Sequence, residues 1–176
     1  YLQDLISVTE KFKVLAGLRW SWQEAQATNL DLTKNPVVVK EDQKRVDQAF
    51  SPKVGLVYQP IKDMAIFFFF FNSFTPNSGT TVDLQVIKPS IIDQYEVGVK
   101  NDFFKGLLST NVTYYEIRNN NLAQTAEFKA DGTPNTDSNL KVLSGATKSK
   151  GIEVDVTARP IAGLSIMAGY SYNDMR

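Results

Sequence analysis

The chain has 176 residues, enough for one domain, and its 19 Lys and Arg balance 19 Asp and Glu, so no net charge steers it toward nucleic acid or an acidic membrane surface. It contains neither cysteine nor histidine, which removes disulfides, thiolate nucleophiles, imidazole bases and nearly every zinc or haem site. Catalysis would fall to carboxylates, Lys, Tyr or Ser alone, and an enzyme is not expected.

Taken in chain order, the predicted elements are strands with two unlike faces. A first strand covers residues 2–8. In residues 14–23, Val14, Ala16, Leu18, Trp20 and Trp22 are apolar, while Gly17, Arg19, Ser21 and Gln23 are small or polar. A period of two over such a stretch predicts a strand with one greasy and one wet side. Residues 50–59 repeat it, with Val54, Leu56 and Tyr58 against Ser51, Lys53 and Gly55. Residues 64–71 carry five successive phenylalanines, too short a run for a membrane helix and stopped by Asn72, Thr75, Pro76, Asn77 and Gly79. Alternation returns at 94–100, 108–115, 152–159 and 164–173, giving eight strands and no convincing helix.

The connections alternate as well. Residues 9–12, 60–63, 103–106 and 160–163 read as short turns, and residues 24–47, 73–92 and 119–148 as long polar loops. Short turns on one side and long loops on the other describe an up-and-down antiparallel meander.

Aromatic residues gather at strand ends: Trp20 and Trp22, Tyr170 and Tyr172 before long connections or the chain end, Tyr58 before a short turn. Amphipathic rings at the ends of an apolar band are favoured at a bilayer interface. The opposite face carries Arg19, Lys53, Glu96, Lys100, Glu153, Asp155 and Arg159, tolerable only beside water or a paired charge. The pattern predicts an all-β transmembrane barrel wall, apolar to lipid and charged toward a lumen. With short turns periplasmic, both ends of the chain fall on the extracellular side, so the eight strands are expected to be an arc of a larger barrel.

Residues facing the lumen near the loop ends are the candidates for ligand contact: Gln23, Phe71, Gln94 and Tyr115. Register from Ile66 sends Phe68 and Phe70 to lipid and Phe67, Phe69 and Phe71 to the lumen. Three readings of those inner rings stay open: cover by another domain, contact with an aromatic ligand, or side chains outside the natural sequence. Asp131, Asn135 and Asp137 lack the order of a calcium loop, and no metal site is expected. Glu153 and Asp155 stand two apart on one wall without a cleft, which does not suit acid–base catalysis.

Several stretches resemble successive strand signatures of TonB-dependent siderophore receptors. They are Tyr1-Leu-Gln-Asp4, Leu15-Ala-Gly-Leu-Arg19, Phe50-Ser-Pro-Lys-Val-Gly-Leu-Val-Tyr-Gln-Pro60, Ser73-Phe-Thr-Pro76, Gln94-Tyr-Glu-Val-Gly-Val-Lys100, Ser149-Lys-Gly-Ile-Glu-Val-Asp155 and Ala168-Gly-Tyr-Ser-Tyr-Asn-Asp174. The resemblance implies a 22-stranded outer-membrane barrel of a Gram-negative bacterium, plugged by an N-terminal domain and importing ferric siderophores with energy delivered through TonB. Residues 1–176 would be part of the barrel domain, with the plug, the TonB box and the C-terminal strands absent. The implied partners are the ferric siderophore as transported ligand, the TonB complex through the missing plug region, and outer-membrane lipid; no cofactor and no nucleic acid are implied. One stretch departs from the family, which usually has an aliphatic-Tyr-Ala-Ser-Tyr-Ser pattern before Ser73 where this chain has Phe67 to Phe71. The alternatives are a passive porin-type channel and a soluble eight-stranded lipocalin-like barrel.

Overall fold

The computed structural model describes residues 1–31, 33–36 and 38–176. Eleven strands form: β1 (Leu2–Ser7), β2 (Phe12–Asp31), β3 (Val38–Ile61), β4 (Met64–Thr75), β5 (Thr80–Thr81), β6 (Ser90–Phe103), β7 (Leu108–Asn120), β8 (Ala123–Thr125), β9 (Leu140–Leu143), β10 (Ala146–Ala158) and β11 (Ile166–Met175). Eight of them make one antiparallel sheet in the order β1-β2-β3-β4-β6-β7-β10-β11, each paired with the next long strand in sequence. The remaining three form a small sheet, β5-β9-β8, inside the two long connections that follow β4 and β7.

The sheet has the two faces that the alternation predicts. Following partners across all eight strands gives one row of side chains: Tyr172, Ile152, Tyr114, Val97, Phe68, Leu56, Val14 and Ile6. Every member is apolar or an amphipathic ring. The row of Tyr170, Val154, Val112, Val99, Ile66, Tyr58 and Phe12 runs beside it. None of this is packed away: Val97 is 47% exposed, Val54 41% and Leu18 48%. Among the described residues the only buried apolar ones are Phe67, Phe74, Ile87 and Ala126. A soluble lipocalin-like barrel would seal Leu18, Val54 and Val154 in its centre, because unburied apolar area gives no hydrophobic stabilisation in water. Here that face waits for an apolar solvent. One carboxylate breaks its pattern: Asp4 shares the face with Leu2 and Ile6, opposite Ala16, and nothing in the structure explains it.

Strand ends differ from expectation at several places, β6, β7 and β10 running up to six residues beyond the predicted 94–100, 108–115 and 152–159, and most of all between β2 and β3. Residues 24–47 do not form a loop; β2 and β3 continue as a paired hairpin as far as Asp31 and Val38, leaving only the tip, where Leu32 and Val37 lie outside the described residues. At 20 and 24 residues these strands are about twice the 9–11 needed to cross a bilayer, so the hairpin projects beyond the membrane. Past Trp22 the row that was apolar turns polar, with Glu24, Gln26 and Thr28 exposed to water, while Ser21, Gln23, Ala25 and Ala27 on the other face are half-buried. The short connections are turns as predicted. At residues 9–12 the Thr9 hydroxyl accepts the Phe12 N–H at 3.0 Å and the Lys11 N–H at 3.2 Å, and at 104–106 a single 3-10 turn closes the β6–β7 hairpin.

Candidate functional site: the polar face of the sheet

The three phenylalanines on the polar face form a ladder along β4. Phe67 and Phe69 have ring centroids 5.4 Å apart, and Phe69 and Phe71 5.6 Å apart. The neighbouring strands make room for them with glycine. Phe69 pairs with Gly55 and Phe67 with Gly98, and a Cβ on either glycine would fall 2.4 Å from the ring opposite. Tyr115 repeats the device against Gly151, where a Cβ would sit 2.6 Å from the phenol oxygen. Rings laid over cross-strand glycines shield backbone that no side chain covers. The ladder therefore has a local packing reason, and its ends carry cations: the Lys53 ammonium lies 5.0 Å from the Phe71 centroid and that of Lys100 5.5 Å from Phe67.

Two hollows flank the ladder. One, of about 210 Å³, is lined by Gln94, Glu96, Thr113, Tyr115, Glu153 and Asn173, among others. It brings together two of the predicted ligand-contact residues and two of the predicted wall carboxylates. The Gln94 side-chain amide donates to the Glu96 carboxylate, while Glu153 has no ion pair among the described residues. The other hollow, of about 400 Å³, includes Arg19, Ser51, Lys53 and Phe71 in its lining. The hollow on the β6–β11 side thus carries carboxylates, with Lys100 on the same wall at the Phe67 end of the ladder, and the hollow on the β2–β3 side carries cations.

The other predicted residues lie apart. Gln23 lines a separate hollow of about 410 Å³ against Pro76, Asn77, Ser78 and Gly79, with its side-chain oxygen buried and unpartnered. Asp155 accepts a hydrogen bond from Asn111 at 3.2 Å. Arg159 stands one residue past β10, exposed at the short-turn end, where its backbone N–H donates to the Leu107 carbonyl at 2.7 Å. Sequence reading passed over Ser51, whose hydroxyl is buried without a partner, since a serine in a polar-face position carries no signal of its own.

On the apolar face a boundary falls just beyond the rings. Trp20 and Trp22, 56% and 53% exposed, are followed by Glu24, paired with Lys44 at 2.8 Å. Beyond Tyr114 comes Glu116, held by Arg118 at 2.7 Å and Lys148 at 2.9 Å. Beyond Tyr170 and Tyr172 comes Asp174, 3.9 Å from Lys150 and 3.5 Å from Arg176. Tyr58, between Phe12 and Ile66, belongs to the opposite end of the band. Rings giving way to ion pairs along the same face mark where hydrocarbon ends and water begins.

In the connection after β7, Asp131 accepts the Thr133 hydroxyl at 2.6 Å and its N–H at 2.9 Å, which holds the carboxyl below its ordinary range. Asn135 and Asp137 are likewise engaged in turn hydrogen bonds. These residues shape the loop, and among the described residues no group of three His, Cys, Asp or Glu is placed to hold a metal.

A sheet with one exposed apolar face and one charged face is one observation; the sequence comparison is the other. The family model for the TonB dependent receptor-like beta-barrel matches residues 1–176. The chain belongs to the TonB-dependent receptor family. Similar proteins include the metal-pseudopaline receptor of Pseudomonas aeruginosa, 27% identical over 175 residues, which are 98% of this chain and 23% of that protein. The ferrichrome outer membrane transporter/phage receptor of Escherichia coli is 27% identical over 177 residues, 99% of this chain and 21% of that protein. Among solved structures, the siderophore receptor PiuA of Acinetobacter baumannii superposes with a TM-score of 0.74 at 20% identity, over 98% of this chain and 24% of that one. At that identity the likeness shows the fold. The chain spans between a fifth and a quarter of the length of these relatives, which are named as receptors and transporters.

Proposed function

We propose that residues 1–176 are part of the barrel domain of an outer-membrane receptor of a Gram-negative bacterium that imports ferric siderophores. The observation that carries the reading is the two-faced sheet: eight strands with an unbroken apolar row outside and Arg19, Lys53, Glu96, Lys100 and Glu153 on the other side. The relatives' names, receptors for metal-pseudopaline and a ferrichrome transporter among them, support the substrate class. In this reading the whole barrel has 22 strands, and a plug domain outside this sequence fills the lumen and couples to TonB. The polar wall, with Asp155, faces that plug, and Gln94, Tyr115, Phe71 and Gln23 reach the ligand from the loop side. The alternative of a passive channel lacks support from the family match.

Uptake of radiolabelled iron from ferrichrome and from ferric pyoverdine in a deletion strain tests the proposal. Loss of one of these uptakes, restored by the gene and abolished again without TonB, is expected. Unchanged iron uptake with reduced passage of unrelated small solutes would sink it in favour of a pore.

A further inference from the structure

Among the described residues, the side chains lining the hollow beside Arg19 include two cations and no carboxylate. Arg19 pairs across the sheet with Ser51, and Lys53, on the same face two residues further along β3, pairs with Gly17. Diagonal neighbours of this kind lie about 7–8 Å apart, close enough for one small group to touch both. No Asp or Glu lines the hollow, and neither cation has an ion-pair partner among the described residues. Lys53 rests over the Phe71 ring. Between them Ser51 is 5% exposed, and its hydroxyl has no hydrogen-bond partner. A buried donor left unpaired is a defect that folded proteins avoid. Gly17 adds no side chain to the floor of the hollow, whose volume is about 400 Å³.

We propose that this hollow is an oxyanion site. A carboxylate or phosphate enters between the Arg19 guanidinium and the Lys53 ammonium, and the Ser51 hydroxyl donates a third hydrogen bond to it. A fork of guanidinium donors with a second cation is the arrangement that favours such a group, because charge-assisted bonds are about twice as strong as neutral ones. The site rests on the receptor reading only in that the polar face lines a lumen. Its oxyanion then comes from a side chain of a segment packed inside that lumen or from the transported ligand.

The full receptor and its Arg19→Gln/Lys53→Gln variant distinguish these, with Ser51→Ala as a milder second variant should the double one fail to fold. The melting temperature is read without ligand. Affinity is read for a ferric trihydroxamate complex bearing a free carboxylate and for its methyl ester. An oxyanion from the protein predicts that the ligand-free melting temperature falls by several degrees while the acid-to-ester preference stays. An oxyanion on the ligand predicts that this preference drops by about tenfold or more at an unchanged melting temperature. Two like charges with nothing between them predict the opposite sign: neutralising them relieves repulsion, the melting temperature holds or rises, the preference does not move, and the proposal is overturned. Removing an orphaned Ser51 hydroxyl would likewise stabilise, whereas removing an engaged one would destabilise. A receptor that binds neither complex refutes the siderophore reading for these ligands and with it the ligand as source of the oxyanion; a fall in melting temperature then supports an oxyanion from the protein, and one that holds or rises overturns the site.

Discussion

Phe69 lies over Gly55 on the next strand, so closely that a single methyl group on the glycine would enter the ring's space. Gly98 under Phe67 is more constrained, because its Cβ would also fall 2.5 Å from the Val112 carbonyl oxygen. A ring can swing on its χ angles; a sheet carbonyl cannot leave its ladder. Gly98→Ala is therefore expected to destabilise the barrel by about 1–3 kcal/mol, and Phe67→Ala should not rescue it. Gly55→Ala should cost less and be relieved by Phe69→Ala. Urea unfolding of the receptor in lipid vesicles measures both cycles, and equal costs with equal rescue would refute the distinction.

The outer row makes a depth-dependent prediction. Val97 lies mid-row between Phe68 and Tyr114, so Val97→Arg should cost about 2–4 kcal/mol if that face meets hydrocarbon. Asn111, on the polar face opposite Lys100 and Asp155, should accept Arg with a far smaller change. Folding yield into vesicles reads both substitutions, and a reversed ranking would invert the faces.

Asp4 is the one carboxylate on the apolar face of β1, between Leu2 and Ile6. Replacing it with Leu removes an ionisable group from that surface and should raise stability by on the order of 1 kcal/mol. A loss of stability in vesicle unfolding would mean that Asp4 has a polar partner in the assembled barrel.

At Asp131 the folded carboxyl titrates below its ordinary value of 3.8, chiefly because the Thr133 hydroxyl and then its N–H donate to the ionised form. A depressed carboxylate stabilises above its unfolded value and loses that contribution as the pH falls through the folded one. The 131–133 turn should hold unchanged from neutrality to about pH 5 and open only below the ordinary carboxylate range. Hydrogen-exchange protection of the Thr133 amide follows this. An opening between pH 7 and 5, or protection surviving in Asp131→Ala, would count against it.

The membrane-crossing part of the fold was legible because lipid on one side and water on the other write a period of two into the residues, as from Val14 to Trp22. The projecting β2–β3 hairpin was not, because past Trp22 the apolar row gives way to Glu24, Gln26 and Thr28 with only Ala25 and Ala27 between them, and so polar a stretch reads as a loop. The partner of each aromatic ring was equally hidden: register decides that Phe67 meets Gly98 and Tyr115 meets Gly151, and glycines at such spacings read alike in any strand. Face membership placed Gln94, Tyr115, Glu96 and Glu153 together, but a position's parity could not reveal that Gln23 lies beside the 73–90 connection, or that Arg159 has already left its strand. Ser51 became visible only when its hydroxyl was found enclosed.

The small sheet ties two distant stretches of sequence into one body. Thr80 and Thr81 run parallel to Leu140 and Lys141, and the Asn77 side chain reaches the backbone of Lys88 at 2.7 Å and of Asn121 at 3.1 Å. A graft that exchanges only one of these connections would strand half a hairpin network without its mate, so the two segments have to be transplanted as a pair, and drift in either one is answerable to the other.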